Sequence, residues 1–513
     1  MKSLTIRGGN VNNRVHYLLL FFSVLFFLPA VCIAEASGPI GINLSSIRDW
    51  SSEMAFNDLF KRARHWISVD ARAKKANNNH IEIDRDGWVR SLSPNQWVET
   101  YLFTDYKDHL PRLRYRCLYK GKGEIRFRNA SVLADGHGWM DIQFDSDRSF
   151  VSMTITKSDP NNYIRNIRII PLDAKGKPVT ETFRDEFLQR WKSFSSIRYM
   201  NWQATAYNNQ VHWSDRPTAE YFSWATKEKG VALEYMLELS NRLKISPWFC
   251  MPYTASDEYI RQFARMVKEK LDPSLKVHIE YSNEVWNRIF PSHRYAKKMG
   301  LKLGLSSDSN LAWARFYTHR SLQIFTIWQE EFGSEKRLVR VLAGQAVSPW
   351  WGKQILDWQD AYKKVDAFAV APYFEVPDLR GLAKGERIPT MGELFSLLEK
   401  DIEAKKALVA EQKQLTRTRK ISLIAYEGGQ HLVAQNNPQL NDLYERINRH
   451  PGMYDLYKKY LGYWFQGGGG LFMAFSSVVK PGRSGHWGAL EWYDQPVSPH
   501  SKYAALLDTL NAQ

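Results

Sequence analysis

Cysteine is scarce, with three among 513 residues, and this excludes a small fold stapled by disulfides. Cys32 lies in an apolar leader. The remaining two, Cys117 and Cys250, fall in segments of different character and are expected to be separate buried thiols. No His/Cys group stands at metal-ligand spacing, so no metal is expected. No glycine-rich phosphate turn follows an early strand, which argues against an open nucleotide-binding sheet and against a nucleotide cofactor. Acidic residues are the minority charge, 54 against 70 Lys and Arg, giving a formal net charge of +16. The basic residues are spread along the chain, with no arginine-rich tail and no nucleic-acid motif. They read as a generally basic surface, with an anionic polymer left open as a partner and no nucleic acid expected.

What is present is an ordinary globular balance, 44% hydrophobic and 24% charged, in a chain long enough for more than one domain. Tryptophan is abundant, with 19 residues. Most pack in cores, but a flat indole also stacks on the apolar face of a sugar ring.

The first residues have the layout of a secretory signal peptide. Lys2, Arg7 and Arg14 precede an apolar run from Tyr17 to Ile33, and small residues follow at Ala34 and Ala36. Residues 1–36 are therefore expected to direct export to the periplasm or beyond, with cleavage near Ala36. An uncleaved membrane anchor is the alternative. Pro29-Ala30-Val31 before Cys32 matches a lipoprotein signal poorly.

Beyond the leader, Ile40 to Leu44 reads as a buried strand, and Glu53 to Trp66 has apolar residues at helical spacing. Residues 38–79 are thus expected to supply a first strand and helix. Residues 80–178 change to short alternating runs separated by turn formers such as Asp86-Gly87 and Gly121-Lys122-Gly123, the signature of an antiparallel sandwich. Residues 183–513 alternate apolar strands with amphipathic stretches. The strands begin at Ser195, Ile245, Lys276, Arg337, Val365, Ile421 and Gly470. The clearest helices are Gly230 to Leu243, Asp257 to Leu271, Asn310 to Phe332 and Leu394 to Lys413. These seven strands plus Ile40–Leu44 make the eight that close a (β/α)8 TIM barrel, with the all-β sandwich inserted after the first.

Two strand ends carry chemistry. His278-Ile279-Glu280-Tyr281 runs into Ser282-Asn283-Glu284 at the end of the fourth strand, and Ile424-Ala425-Tyr426 runs into Glu427-Gly428-Gly429 at the end of the seventh. Catalytic groups of such barrels lie at the C-terminal strand ends, so two carboxylates there face one another across the mouth. Carboxyl groups about 5–5.5 Å apart cleave a glycosidic bond with retention, one attacking the anomeric carbon while the other protonates the leaving oxygen.

This arrangement resembles the clan A retaining glycoside hydrolases, over the barrel but not the sandwich. The resemblance implies Glu284 as acid/base, Glu427 as nucleophile, and Asn283 bonding the sugar 2-hydroxyl. It also implies hydrolysis of a β-linked oligo- or polysaccharide. Arg198, ending the second strand, matches an arginine that keeps the nucleophile ionised, and Tyr373, after the sixth, resembles the aromatic that lies near it. At the eighth strand the clan often has a Trp, whereas this chain reads Ala474-Phe475-Ser476-Ser477. His486 and Trp487 from the following loop are candidates to take that place. Trp202, Trp213, Trp286, Trp350 and Trp351 also follow strand ends and are candidates to line a cleft. In the sandwich, Trp88, Trp97 and Trp139 look exposed, so that module either binds glycan or supports the barrel, and support is the reading preferred. A glycan-binding or scaffold protein without turnover is the alternative from another class. The departure at strand eight favours it and the presence of both glutamates opposes it.

Overall fold

The computed structural model describes residues 37–376, 379 and 385–512, all within a compact unit spanning Glu35–Gln513. The leader expected over residues 1–36 lies outside the described residues. No helix among those described is long and apolar enough to cross a membrane.

Strand β1 (Ile40–Asn43) opens the chain's fold. Nine antiparallel strands follow: β2 (Ile67–Asp70), β3 (Lys75–Asn77), β4 (Gln96–Phe103), β5 (Arg114–Lys120), β6 (Gly123–Arg128), β7 (Ala130–Gly136), β8 (Trp139–Phe144), β9 (Val151–Ser158) and β10 (Arg165–Pro171). The parallel series then resumes with β11 (Ser196–Arg198), β12 (Ser246–Met251), β13 (Val277–Tyr281), β14 (Leu338–Ala343), β15 (Ala367–Val370), β16 (Ser422–Ala425) and β17 (Phe472–Phe475). β1 pairs in parallel with both β11 and β17, so these eight close into a barrel. The expected barrel with an insertion after its first strand is what the pairing shows.

Strand alternation sorts the side chains. Ile42, Ile197, Phe249, Ile279, Leu342, Phe368 and Leu423 join the large core between strands and helices. Their neighbours of opposite phase form a second buried cluster inside the barrel, where Ala343, Ala367 and Ala369 offset the bulk of Trp248 and Tyr426. The four helices read most clearly from sequence form at Leu233–Leu243, Asp257–Lys270, Ser309–Phe332 and Met391–Arg417. The last begins in a capping box between Thr390 and Glu393.

The antiparallel strands form two sheets, ordered β10-β5-β8-β7 and β3-β2-β4-β9-β6. Tyr115, Cys117 and Ile142 from one, and Val98, Met153 and Ile155 from the other, share one buried cluster. Trp88 lies within it, only 3% exposed, and so is core and not an exposed aromatic. Cys117 and Cys250 are buried and unbridged.

The helix expected over Glu53–Trp66 is absent; only a short 3-10 turn, Leu59–Arg62, forms there. The apolar spacing has another cause. Ala55 and Phe56 enter the barrel core, while Met54, Leu59, Phe60 and Ala63 enter the cluster between the sheets. A segment that must feed two cores cannot keep one helical face. The antiparallel strands therefore begin at Ile67, ahead of His80.

Candidate active site

At the end of β13 the backbone turns sharply, with Ser282 and Glu284 both left-handed (φ 60° and 43°). Positive φ at a residue with a side chain is uncommon and gathers at functional sites. The turn aims the Glu284 carboxylate inward, where Oε1 accepts from the Tyr426 hydroxyl (3.0 Å) and Oε2 from Asn287 Nδ2 (2.9 Å). Glu427 follows β16. Its Oε1 accepts from Arg198 Nη1 at 2.9 Å and its Oε2 from the Tyr373 hydroxyl at 3.0 Å.

Arg198 is 0% exposed and ties the site together. Its Nη1 also donates to Asn43 Oδ1 (3.2 Å), its Nη2 to Asn283 Oδ1 (2.8 Å), and its Nε and Nη2 both to Glu280 Oε2 (3.2 and 2.8 Å). All five guanidinium N–H groups thus have a partner. Because Asn283 gives its carbonyl oxygen to Arg198, its amide NH2 is the part left to donate elsewhere.

Glu280 was not singled out by sequence reasoning, though an acid inside the run Val277–Tyr281 on the barrel-facing phase was the available signal. Its Oε2 also accepts from Trp248 Nε1 (3.0 Å) and the Cys250 thiol (3.4 Å). A charge buried to 1% exposure needs such compensation, and the guanidinium supplies it. Asn43, Tyr426 and Asn287 were missed as well. Asn43 fixes its amide by donating to the carbonyls of Tyr426 and Ala474 (3.1 and 3.3 Å), so three barrel strands lock one side chain.

Burial raises both Glu284 and Glu427 above the usual carboxylate range. For Glu427 the nearby Arg198 charge works against burial while the Glu284 charge adds to it. Burial also lifts the Tyr373 and Tyr426 hydroxyls well above their ordinary range, so both remain donors.

The remaining candidates divide. Trp487 packs against Tyr373 with ring centres 5.7 Å apart, and also against His431 and Phe475 at 4.6 and 5.7 Å. Trp286 is half-buried beside the Tyr426 hydroxyl. Trp202 does not reach the mouth. It is wholly buried in the barrel core, 5.2 Å from Phe56 and 5.7 Å from Tyr199, because the turn after β11 folds it behind the strands. His486 is also turned inward, 2% exposed with Nδ1 3.0 Å from the Leu432 carbonyl. Burial pushes its pKa down to about 4, which suits a packed neutral ring. Trp213 packs on Tyr259, and Trp351 on Trp313, whereas Trp350 is exposed. Beside the mouth lies a cleft of about 650 Å3, between residues 45–52 after β1 and residues 475–487, which run from the last residue of β17 into the loop beyond, with Phe475 and Trp487 on its near wall.

Fold and site together define a (β/α)8 barrel with two glutamates at the ends of its fourth and seventh strands, one of them held by a buried arginine. No family model and no curated protein matches the chain. Among solved structures it is similar to a GH51 arabinofuranosidase from Xanthomonas axonopodis pv. citri, at 12% identity and TM-score 0.36, over 59% of this chain and 62% of that one. It is also similar to the beta-glycosidase from Thermosphaera aggregans (11%, TM-score 0.35, 64% and 84%) and to an endo-1,4-beta-xylanase from Caldicellulosiruptor owensensis (11%, TM-score 0.29, 55% and 77%). This chain thus spans less than two thirds of the first protein's length. The barrel itself is defined here by strand pairing.

Proposed function

We propose that this protein is an exported retaining glycoside hydrolase acting on a β-linked glycan. The observation that carries the reading is the unequal setting of the two glutamates at the barrel mouth, Glu427 buried and Glu284 half-buried. Glu427 touches a guanidinium, and Glu284 touches only neutral donors. Contact with a fixed positive charge favours the ionised form, so the proton that burial retains belongs on Glu284.

In the first step the Glu427 carboxylate attacks the anomeric carbon. The bond to the leaving oxygen breaks, and Glu284 gives that oxygen its proton. In the second step Glu284 takes a proton from water, whose oxygen displaces Glu427 from the same carbon, and the configuration is retained. The Asn283 amide, its oxygen already held by Arg198, donates to the neighbouring sugar hydroxyl. Tyr373 and Arg198 keep the nucleophile in place, and Trp487 offers a flat apolar face on its side of the mouth. The inserted sheets act as packing support, since residues 53–63 feed both cores.

Turnover of a panel of neutral and acidic β-glycans by the full chain, beside Glu284→Gln and Glu427→Gln, tests this. Product from the wild type and from neither variant supports the reading. Equal binding by all three proteins with no product from any would replace it with a binding-only protein.

A further inference from the structure

The cleft beside the mouth has a lining that the carboxyl pair does not explain. Its two walls are pinned to each other below, where Ser45 N donates to Ser477 Oγ (2.9 Å) and Lys480 N to Ser52 Oγ (2.9 Å). The gap is therefore preformed. Trp50, 43% exposed, stands on one wall, and the half-buried Trp487 on the other. The charged lining consists of Lys480, Arg483 and Asp105. Asp105 follows β4, so the inserted sheets reach this cleft. It lies 3.5 Å from Lys480 Nζ and is itself 81% exposed at the rim. Lys480 and Asp105 offset each other, and the Arg483 guanidinium has no ion-pair partner among the described residues. A cation without an ion-pair partner among the described residues, lining the same cleft as two tryptophans on a chain of net charge +16, is arranged to receive a negative charge.

We propose that this cleft binds an anionic sugar unit of the substrate, with Trp50 and Trp487 against the ring and Arg483, aided by Lys480, paired with its carboxylate or sulfate. The proposal rests on the glycosidase reading of the adjoining site. A guanidinium presents parallel N–H donors to either anion, and an aromatic face covers the C–H side of a pyranose. Arg483 is at the surface, so the attraction is screened by salt.

The test is calorimetric titration of the full chain carrying Glu427→Gln, which binds without turning over. The ligands are cello-oligosaccharides, the same oligosaccharides oxidised to glucuronates, and the same oligosaccharides sulfated. An anionic ligand is expected to bind about tenfold more tightly than the neutral one, as one charge-assisted pair provides. That advantage should shrink with added salt and disappear in Arg483→Ala but persist in part in Arg483→Lys. Which anion gains identifies the substituent. Equal affinities, no binding of any ligand, or a preference that survives Arg483→Ala in a protein with unchanged thermal unfolding would overturn the proposal. Wild-type turnover of a neutral β-glycan with no charge preference would remove it and leave the glycosidase reading standing. A charge preference without turnover of any glycan would do the reverse.

Discussion

Arg198 and Glu427 stand 229 residues apart in sequence and meet with Nη1 2.9 Å from Oε1. The same guanidinium holds Glu280 on its other edge, 2.8 Å away. One cation is therefore shared between a carboxylate at the mouth and another sealed in the barrel.

Glu280→Gln removes a negative charge that raises Glu427. The acidic limb of the kcat/KM profile is therefore expected to move to lower pH, with kcat falling about tenfold to a hundredfold as Arg198 loses its anchor. A pH–rate profile decides this. Unchanged limbs beside a lower Tm would mean that Glu280 only supports the fold.

Tyr373→Phe acts on Glu427 with the opposite sign. The lost hydrogen bond had lowered the carboxyl's proton affinity, so the acidic limb is expected to rise in pH, and kcat to fall about tenfold. Profiles of the two variants that move the same way would contradict the arrangement described.

The two glutamates are separated by chemical rescue with azide. Glu284→Ala should still form the glycosyl-enzyme from a substrate with an activated leaving group, and azide should then give a glycosyl azide of retained configuration. Glu427→Ala should lose at least about a thousandfold in kcat, and azide should give the inverted product. NMR of the products assigns the roles, and exchanged outcomes would exchange them.

Trp202 and Trp487 were equivalent in sequence as aromatics near strand ends, but not in the fold. Trp202→Ala is expected to lower stability by about 3–5 kcal/mol in urea unfolding, as removal of a fully buried indole does. Trp487→Ala should change stability by less than about 1 kcal/mol and raise KM instead.

Glu53 lies 4% exposed, accepting from Ser477 Oγ (2.6 Å) and Trp191 Nε1 (3.1 Å), and burial raises it to about 7. The folded state then binds its proton more tightly than the unfolded chain, whose Glu titrates near 4.3. This group's contribution is complete below about pH 4 and diminishes as pH rises to about 7. Urea unfolding at pH 4.5 and 7.5, with Glu53→Gln beside the wild type, should show a pH dependence that the variant largely loses.

Parallel strands buried on both faces appear as continuous apolar runs, which is why all eight barrel strands and four long helices were legible in the sequence. The ordinal positions of Glu284 and Glu427 followed from that count. Glu280 and Asn43 escaped notice because their importance lies in pointing into the barrel at the height of Arg198, and height is a property of register between strands, not of one segment. Trp202 and His486 were misplaced for the complementary reason. A residue just beyond a strand can turn toward the mouth or behind it, and only the path of the loop decides. The expected helix at Glu53–Trp66 failed because helical spacing also arises when a linker serves two cores in turn.

The pairing of β1 with β17 joins Ile40 to Phe472, and it sets a condition on how the molecule is made. As the chain emerges from the ribosome, the antiparallel sheets can assemble early from neighbouring strands, but the barrel cannot close until β17, more than 400 residues after β1, is available. Until then β1 has no partner on one side. Asn43 on β1 meets the Ala474 carbonyl of β17 only once that pairing forms, so the side chain that steadies Arg198 Nη1 is itself set last.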